Sequence, residues 1–94
     1  MRPWSEVQKQ TLRHLAAARF FLPETLKRFD SYDAEGQYVE FLHHKEYGLA
    51  IEYLEDIGIL NSGFAEEPMF WAELAAAAVL MGRTEDSERF HARL

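Results

Sequence analysis

The chain has 94 residues, a net charge of −6 and no cysteine, so disulfide bonds and sites built on thiolates are excluded. A chain of this length has room for one hydrophobic core, and its 48% hydrophobic content is enough to fold one, which predicts a single domain over residues 1–94. No apolar run approaches the roughly 18 residues of a membrane span, and no apolar signal core follows the first charged residues, so we expect a cytoplasmic protein with no membrane partner.

The charges are distributed unevenly along the chain. Residues 1–28 carry a net charge of +4, residues 29–81 a net charge of −10, and residues 82–94 a net charge of 0. Proteins that bind a nucleic-acid duplex show a basic excess instead, so we expect no nucleic-acid partner. In one interpretation the basic first third folds onto the acidic middle, but it can neutralise only part of that charge.

Apolar residues at helical spacing predict a first helix from Trp4 to about Phe21. Pro23 ends or restarts this helix, and Leu26 and Phe29 are expected to form a short apolar turn after it. The predicted core-facing stripe of the helix consists of Val7, Thr11, Leu12, Leu15, Ala16, Arg19 and Phe20.

Two helices are predicted in the middle of the chain. Residues 30–33, DSYD, can cap the first of them, which is expected over residues 34–44. The second is predicted from Glu46 to Asp56 or Leu60, with a broad apolar arc that is typical of a central helix covered on more than one side. The residues of this arc are Tyr47, Ala50, Ile51, Tyr53, Leu54 and Ile57.

The last third of the chain predicts two more helices. Pro68 suits the first turn of one helix, and Gly82 ends it. Thr84 is expected to cap a last short helix from Glu85 to Leu94. No segment alternates apolar and polar residues as a half-buried strand does, so the sequence predicts an all-α fold, a compact bundle of about five short helices.

Glu52, Glu55 and Asp56 share one face of the predicted central helix, away from its apolar arc. Like charges at this spacing destabilise a helix by about 0.2–0.5 kcal/mol per pair, and acids near its carboxyl end also oppose its dipole. Local stability therefore does not explain these residues. Two explanations stay open: salt bridges to arginines of the first third of the chain, or a basic surface on another protein. The candidate arginines are Arg13, Arg19 and Arg28.

Metal binding and catalysis have weak signals in the sequence. Glu40 with His43, and Glu88 with His91, match the Glu-x-x-His unit of di-iron helical bundles. Such sites need further glutamates that point inward, whereas Glu40 and His43 fall opposite the apolar side of their helix. No nucleophile elbow, phosphate-binding glycine loop or zinc spacing is present. We therefore expect no enzyme activity, no catalytic residue, no metal site and no cofactor.

Residues 44–54, HKEYGLAIEYL, carry a resemblance to a known family. They are similar to the H-x-E-Y/L-G-L-A-x-E-x-L stretch of small helical immunity proteins from bacterial polymorphic toxin systems, of which the MafI-type and contact-dependent inhibition immunity proteins are the nearest. The resemblance extends over residues 34–82, roughly half of the chain. The first thirty residues and the region 64–71 depart from it.

The resemblance implies a cytoplasmic protein that binds a cognate toxin domain and blocks it by occlusion. Many such toxins are basic nucleases, and the acidic middle of the chain independently fits a basic partner, because complementary fields speed association. We expect Tyr47 to act as the central anchor of an acidic surface. The predicted partner-binding residues are Glu40, Glu46, Tyr47, Glu52, Glu55 and Asp56. The alternative is a helical adaptor or homodimerisation domain, followed by a metal-dependent helical enzyme.

Overall fold

The computed structural model of the chain describes residues 4–26 and 31–94. These two segments contain five helices and no β-strand: α1 (Trp4–Phe21), α2 (Ser31–His43), α3 (Tyr47–Leu60), α4 (Glu67–Leu80) and α5 (Thr84–His91). The predicted all-α bundle is therefore confirmed. In the apolar turn predicted after α1, Leu26 is buried, whereas Phe29 lies outside the described residues.

Helix α1 begins and ends where the sequence predicts, but only two of the seven residues of its predicted stripe are buried. The buried side centres on Thr11 and Leu15, whereas Leu12 and Phe20 are exposed. The predicted stripe is wider than the face that α4, the main neighbour of α1, can cover. The Thr11 hydroxyl donates a 2.8 Å hydrogen bond to the carbonyl of Val7, which satisfies this polar group inside the core.

The α2–α3 and α4–α5 connections share one backbone geometry, a Schellman motif. The amide of Glu46 donates to the carbonyl five residues earlier at 2.9 Å, and the amide of Arg83 does the same at 2.8 Å. The residue with positive φ is Lys45 (57°) in the first turn and Gly82 (71°) in the second. Glu46 and Arg83 then stand at the N-cap positions of α3 and α5. The prediction that Thr84 caps the last helix is wrong, because Thr84 is its first residue.

Helix α4 packs against α1, α5 and α3, and helix α3 is covered on more than one side. Helix α2 packs along α3, and α1 and α4 also contact α3. The α3 residues Ala50, Ile51, Leu54 and Ile57 are fully buried, as the broad apolar arc predicts. The shortest dimension of the molecule is 19 Å, about two helix diameters, so the bundle is two helices thick.

The first helix pairs with acidic residues of α2 and α4. Arg19 forms a salt bridge with Glu35 of α2, and Nδ1 of His14 lies 2.6 Å from Oε2 of Glu73 of α4. Tyr38 lies beside the first pair. Burial raises the pKa of the Tyr38 phenol to about 12, with Arg19 lowering it and Glu35 raising it further. Part of the acidic middle is thus neutralised by the first third of the chain, although these acids do not belong to α3.

Candidate functional site

Helix α3 has one side that no other helix covers, and four residues define it: Leu49, Glu52, Asp56 and Ile59, here called the α3 stripe. All four are exposed, and their spacing of three, four and three places them along one line of the helix surface. Leu49 and Ile59 retain 41% and 43% of their accessible surface. The stripe therefore presents two carboxylates between two large apolar side chains.

A chain of alternating charges connects α3 to α5, here called the α3–α5 ion network. Arg83 Nη2 lies 3.6 Å from Oε1 of Glu52, and Arg83 Nε donates to Asp86 at 2.5 Å. Arg89 donates to Asp86 at 2.8 Å and makes two hydrogen bonds to Glu55, at 2.7 and 2.8 Å. Two arginines thus hold three carboxylates in fixed positions along the edge of the α3 stripe.

The ion network corrects the explanation of the acidic face. The arginines that pair with Glu52 and Glu55 are Arg83, at the N-cap of α5, and Arg89, within α5, rather than arginines of α1. Arg28, the third predicted partner, lies outside the described residues. Glu55 keeps only 13% of its side chain exposed. Each of its two carboxylate oxygens accepts a hydrogen bond from Arg89. A basic partner protein is therefore not needed to explain Glu55, and the available carboxylates of this face are those of Glu52 and Asp56.

Asp56 has no ion-pair partner within residues 4–26 and 31–94. Burial, and then the negative charges of Glu55 and Glu52, raise the pKa of the Asp56 carboxyl above its ordinary value. Burial is the larger cause of this rise, and the two neighbouring carboxylates are the smaller one. Glu55 and Glu52 thus still act on Asp56 as negative charges, although both are paired with arginines.

Burial excludes Tyr47 from this surface. Its side chain is 5% exposed and belongs to the core, so the prediction that it acts as an exposed anchor is wrong. Tyr47 belongs to the hydrophobic core cluster, so the fold covers the start of α3 on that side. An aromatic residue at the edge of an apolar arc is buried whenever a neighbouring helix extends that far.

Glu40 and Glu46 lie at the opposite end of α3 from Asp56. Glu40 is exposed near the end of α2, with one carboxylate oxygen 3.7 Å from Nε2 of His44. Glu46 is exposed at the N-cap of α3, and ten helical residues separate it from Asp56, about 15 Å along the axis. The predicted site residues thus divide into an end group, Glu40 and Glu46, and a central group that faces α5.

Leu49 and Ile59 are the functional candidates that the sequence analysis missed. Both lie outside the predicted apolar arc, and each is an exposed aliphatic residue on the otherwise charged side of α3. The sequence pattern that could have identified them is the regular three- and four-residue spacing from Leu49 through Glu52 and Asp56 to Ile59. Neither of these two large apolar residues belongs to the core cluster.

The described part of the chain offers no evident metal site. No group of three or more His, Asp or Glu side chains in residues 4–26 and 31–94 is arranged to hold a metal ion. Of the two Glu-x-x-His matches, Glu40 lies beside His44, and His91 Nδ1 lies 2.9 Å from the carbonyl oxygen of Ser87. Within the same residues, the helices are too short or too polar to cross a membrane.

Comparison of the chain with known protein families, with curated protein sequences and with solved structures finds no match. Three features of the described surface bear on function: the open α3 stripe, the exposed carboxylates of Glu52 and Asp56 on it, and the ion network at its edge.

Proposed function

We propose that the chain is a non-catalytic binding protein of the immunity type, which blocks a basic, nuclease-type toxin domain by covering it. The observation that carries the proposal is the α3 stripe, where Glu52 and Asp56 lie exposed between Leu49 and Ile59. The likeness of residues 44–54 to helical immunity proteins supports the same conclusion. Such an inhibitor acts in the cytoplasm of the cell that it protects.

The composition of the stripe supports a protein partner with a basic surface. Exposed carboxylates raise the association rate with a cationic surface and disfavour acidic partners. Leu49 and Ile59 provide the apolar contact that a carboxylate pair lacks, and contacts of that kind set the lifetime of a complex. Charge and apolar surface therefore have separate roles within one stripe.

The ion network determines which carboxylate the partner can take. Glu55 accepts two short hydrogen bonds from Arg89, so a partner that takes Glu55 away from Arg89 would have to break both. The contact of Glu52 with Arg83 is longer, at 3.6 Å. Asp56 has no ion pair within residues 4–26 and 31–94 that a partner would have to break. An incoming lysine or arginine therefore meets Glu52 and Asp56 first, while Glu55 keeps α5 in place.

The test compares two double variants that change the net charge equally. Glu52→Gln with Asp56→Asn alters the stripe, and Glu85→Gln with Glu88→Gln alters exposed acids of α5. Against a panel of basic nuclease domains, the stripe variant should lower the association rate of the bound domain about tenfold at ~50 mM salt and much less at ~500 mM. The α5 variant should bind as the parent does.

The apolar ends of the stripe are tested by dissociation. Leu49→Ala with Ile59→Ala should accelerate dissociation about tenfold or more and leave the association rate nearly unchanged. If none of the nuclease domains binds the parent protein, or if both charge variants bind equally, the α3 stripe is not the binding surface for such a toxin.

The homodimerisation or adaptor alternative is favoured by the exposed apolar residues Leu49, Ile59 and Phe20. Light scattering across a range of concentrations separates it from the proposal. A stable dimer that binds no nuclease domain supports the adaptor. A monomer that binds one supports the inhibitor.

A further inference from the structure

The most exposed aromatic side chain of the described residues is Phe20, near the end of α1, with 78% of its surface accessible. Two open clefts, of about 470 and 560 Å³, are both lined by Phe20, Leu22 and Glu24. The first cleft is completed by Phe21 and by the segment 64–66. The two clefts together with Phe20, which lines both, are here called the Phe20 groove.

The walls of the groove are held by the core. Leu22 is buried directly after the helix, which fixes the end of α1. The Phe64 ring lies 5.8 Å from that of Phe70, a fully buried residue of α4. The Phe20 and Phe21 rings meet edge to face at 5.7 Å. Phe20 thus stands on a supported surface and contributes little to the fold, which makes it available for contact with another molecule.

The rim of the groove is acidic. Glu24 and Glu66 are exposed, and neither has an ion-pair partner within residues 4–26 and 31–94. Arg19 also borders the groove, but Glu35 neutralises it. Among the residues that the structure describes, the rim therefore carries two acids without an ion pair beside Phe20.

The negative charge of the rim favours a cationic partner over a second copy of the chain. A second copy of the chain would bring its own Glu24 and Glu66 to the same place, and each copy carries a net charge of −6, so like charges oppose self-association. A cationic segment meets complementary charge at the rim. Its lysine or arginine side chains can also lie against the face of Phe20.

We propose that the Phe20 groove binds a basic protein segment through one large apolar side chain, which packs against Phe20, with flanking lysines or arginines at Glu24 and Glu66. This inference rests on the proposed function, because it gives the basic partner a second point of attachment. It also supplies the exposed aromatic anchor that Tyr47, buried in the core, cannot provide. Aromatic residues surrounded by polar rims commonly dominate binding energy.

The test titrates the intact chain with the peptide Lys-Arg-Trp-Arg-Lys, blocked at both ends. The amide chemical shifts of the protein are followed during the titration. Saturable shifts are expected at residues 16–24 and 64–66. Replacing the peptide tryptophan by alanine, or its basic residues by acidic ones, should weaken binding about tenfold. Phe20→Ala, and separately Glu24→Gln with Glu66→Gln, should each weaken it about fivefold or more. Val79→Ala, a change at another exposed apolar residue, should leave it unchanged.

Three results overturn the inference: shifts spread over the whole surface, equal binding of the alanine or acidic peptide, or dimer formation through residues 16–24. Phe20 is exposed, so its alanine variant should melt as the parent does, and a lost fold cannot explain lost binding. The stripe variant Glu52→Gln with Asp56→Asn should bind the peptide normally. If the stripe variant binds the peptide normally while the parent protein binds no nuclease domain, the proposed function is wrong and the inference about the Phe20 groove stands. If the Phe20→Ala variant still inhibits a toxin fully, the inference about the Phe20 groove is wrong and the proposed function stands.

Discussion

Arg83 of α5 lies directly across Gly48 of α3: a Cβ built on Gly48 would lie 2.8 Å from Nη1 of Arg83. The missing side chain lets the guanidinium cross the first turn of α3 and reach Glu52, one turn further along. The glycine of the YGLA motif therefore has a packing role. Gly58, in the same helix, has a different neighbour, because a Cβ there would clash with the Phe70 ring.

We expect opposite outcomes for alanine at these two glycines. Gly48→Ala displaces only the end of a flexible arginine and gains helix propensity, so its unfolding free energy should stay within about 1 kcal/mol of the parent's. Gly58→Ala pushes against two core rings, those of Phe70 and Trp71, and should lower the unfolding free energy by about 1–3 kcal/mol. Urea denaturation measures both. Equal destabilisation by the two variants would contradict this account of the packing.

Asp86 and Asp56 are expected to have opposite effects on stability. Burial by itself raises the pKa of the Asp86 carboxyl, but hydrogen bonds and charge from Arg83 and Arg89 outweigh it and hold the pKa below its ordinary value. For Asp56, burial and the charges of Glu55 and Glu52 raise the pKa. At pH 7, Asp86→Asn should cost about 1–3 kcal/mol, and Asp56→Asn should stabilise by about 0.2–0.5 kcal/mol.

The same pair predicts how these contributions depend on pH. A lowered folded-state pKa means that the Asp86 contribution is complete above its unfolded-state pKa and is lost as the pH falls through the folded value. A raised folded-state pKa gives Asp56 the opposite sign, so its unfavourable effect disappears on acidification. The penalty of Asp86→Asn should therefore shrink toward acid, and the gain of Asp56→Asn should shrink too. Melting curves between about pH 3 and pH 7 show this, and a penalty for Asp86→Asn that grows toward acid would refute it.

The fold was largely predictable from the sequence because local signals agreed with the tertiary structure. Helical periodicity predicted the bounds of α1, and the broad arc predicted correctly that α3 is covered on more than one side. The C-terminal turn of α2 was harder to anticipate, since Lys45 takes a positive φ of 57° where glycine is usual. The start of α2 was also missed by three residues, because it depends on a long-range hydrogen bond between Ser31 and Asn61.

The candidate site was only partly predictable. Glu52 and Asp56 lie exposed at the predicted place, but the partners of Glu52 and Glu55 come from α5, about thirty residues along the chain. Helical spacing shows which residues share a face, whereas it does not show which other helix lies beside that face. The burial of Tyr47 and the exposure of Phe20 have the same origin.

Lys45 and Gly82 occupy equivalent positions in the two Schellman turns, and only one of them is a glycine. A side chain at positive φ costs roughly 1–2 kcal/mol, part of which is offset by the flexibility of glycine in the unfolded chain. Lys45→Gly should therefore raise the unfolding free energy by about 0.5–1 kcal/mol, and Gly82→Ala should lower it by about the same amount. A stability unchanged by both substitutions would show that the turns tolerate either residue equally.

The buried Asn61 side chain joins two helices. Its Nδ2 donates to the Ser31 hydroxyl at 2.9 Å and to the Ile57 carbonyl at 2.8 Å. Asn61→Ala removes both bonds and leaves a cavity, so it should cost about 2–4 kcal/mol. Ser31→Ala removes one partner while the Ile57 bond persists, and about 1 kcal/mol is expected. Calorimetry of the two single variants and the double variant measures the coupling, and strictly additive losses would mean that the two residues act separately.

Arg89 connects the stability of α5 to the potential of the α3 stripe. It donates to both Glu55 and Asp86, and these bonds raise its pKa above the ordinary value. Arg89→Gln should lower the unfolding free energy by about 1–2 kcal/mol, a value reduced by the exposure of the guanidinium. It also leaves Glu55 without its cation beside Asp56, so the pKa of Asp56 should rise further.

A matched control for this variant is Arg93→Gln. It removes the same charge, but the Arg93 guanidinium lies 4.6 Å from the centre of the Trp71 ring and takes no part in the ion network. We expect Arg89→Gln to raise the association rate of a basic nuclease domain by about two- to fivefold at low salt, because the stripe becomes more negative, and Arg93→Gln to have less effect. If the two variants change the rate equally, net charge rather than the local field of α3 guides association. If Arg89→Gln slows association, the ordered position of Glu55 contributes more to binding than the added negative potential does.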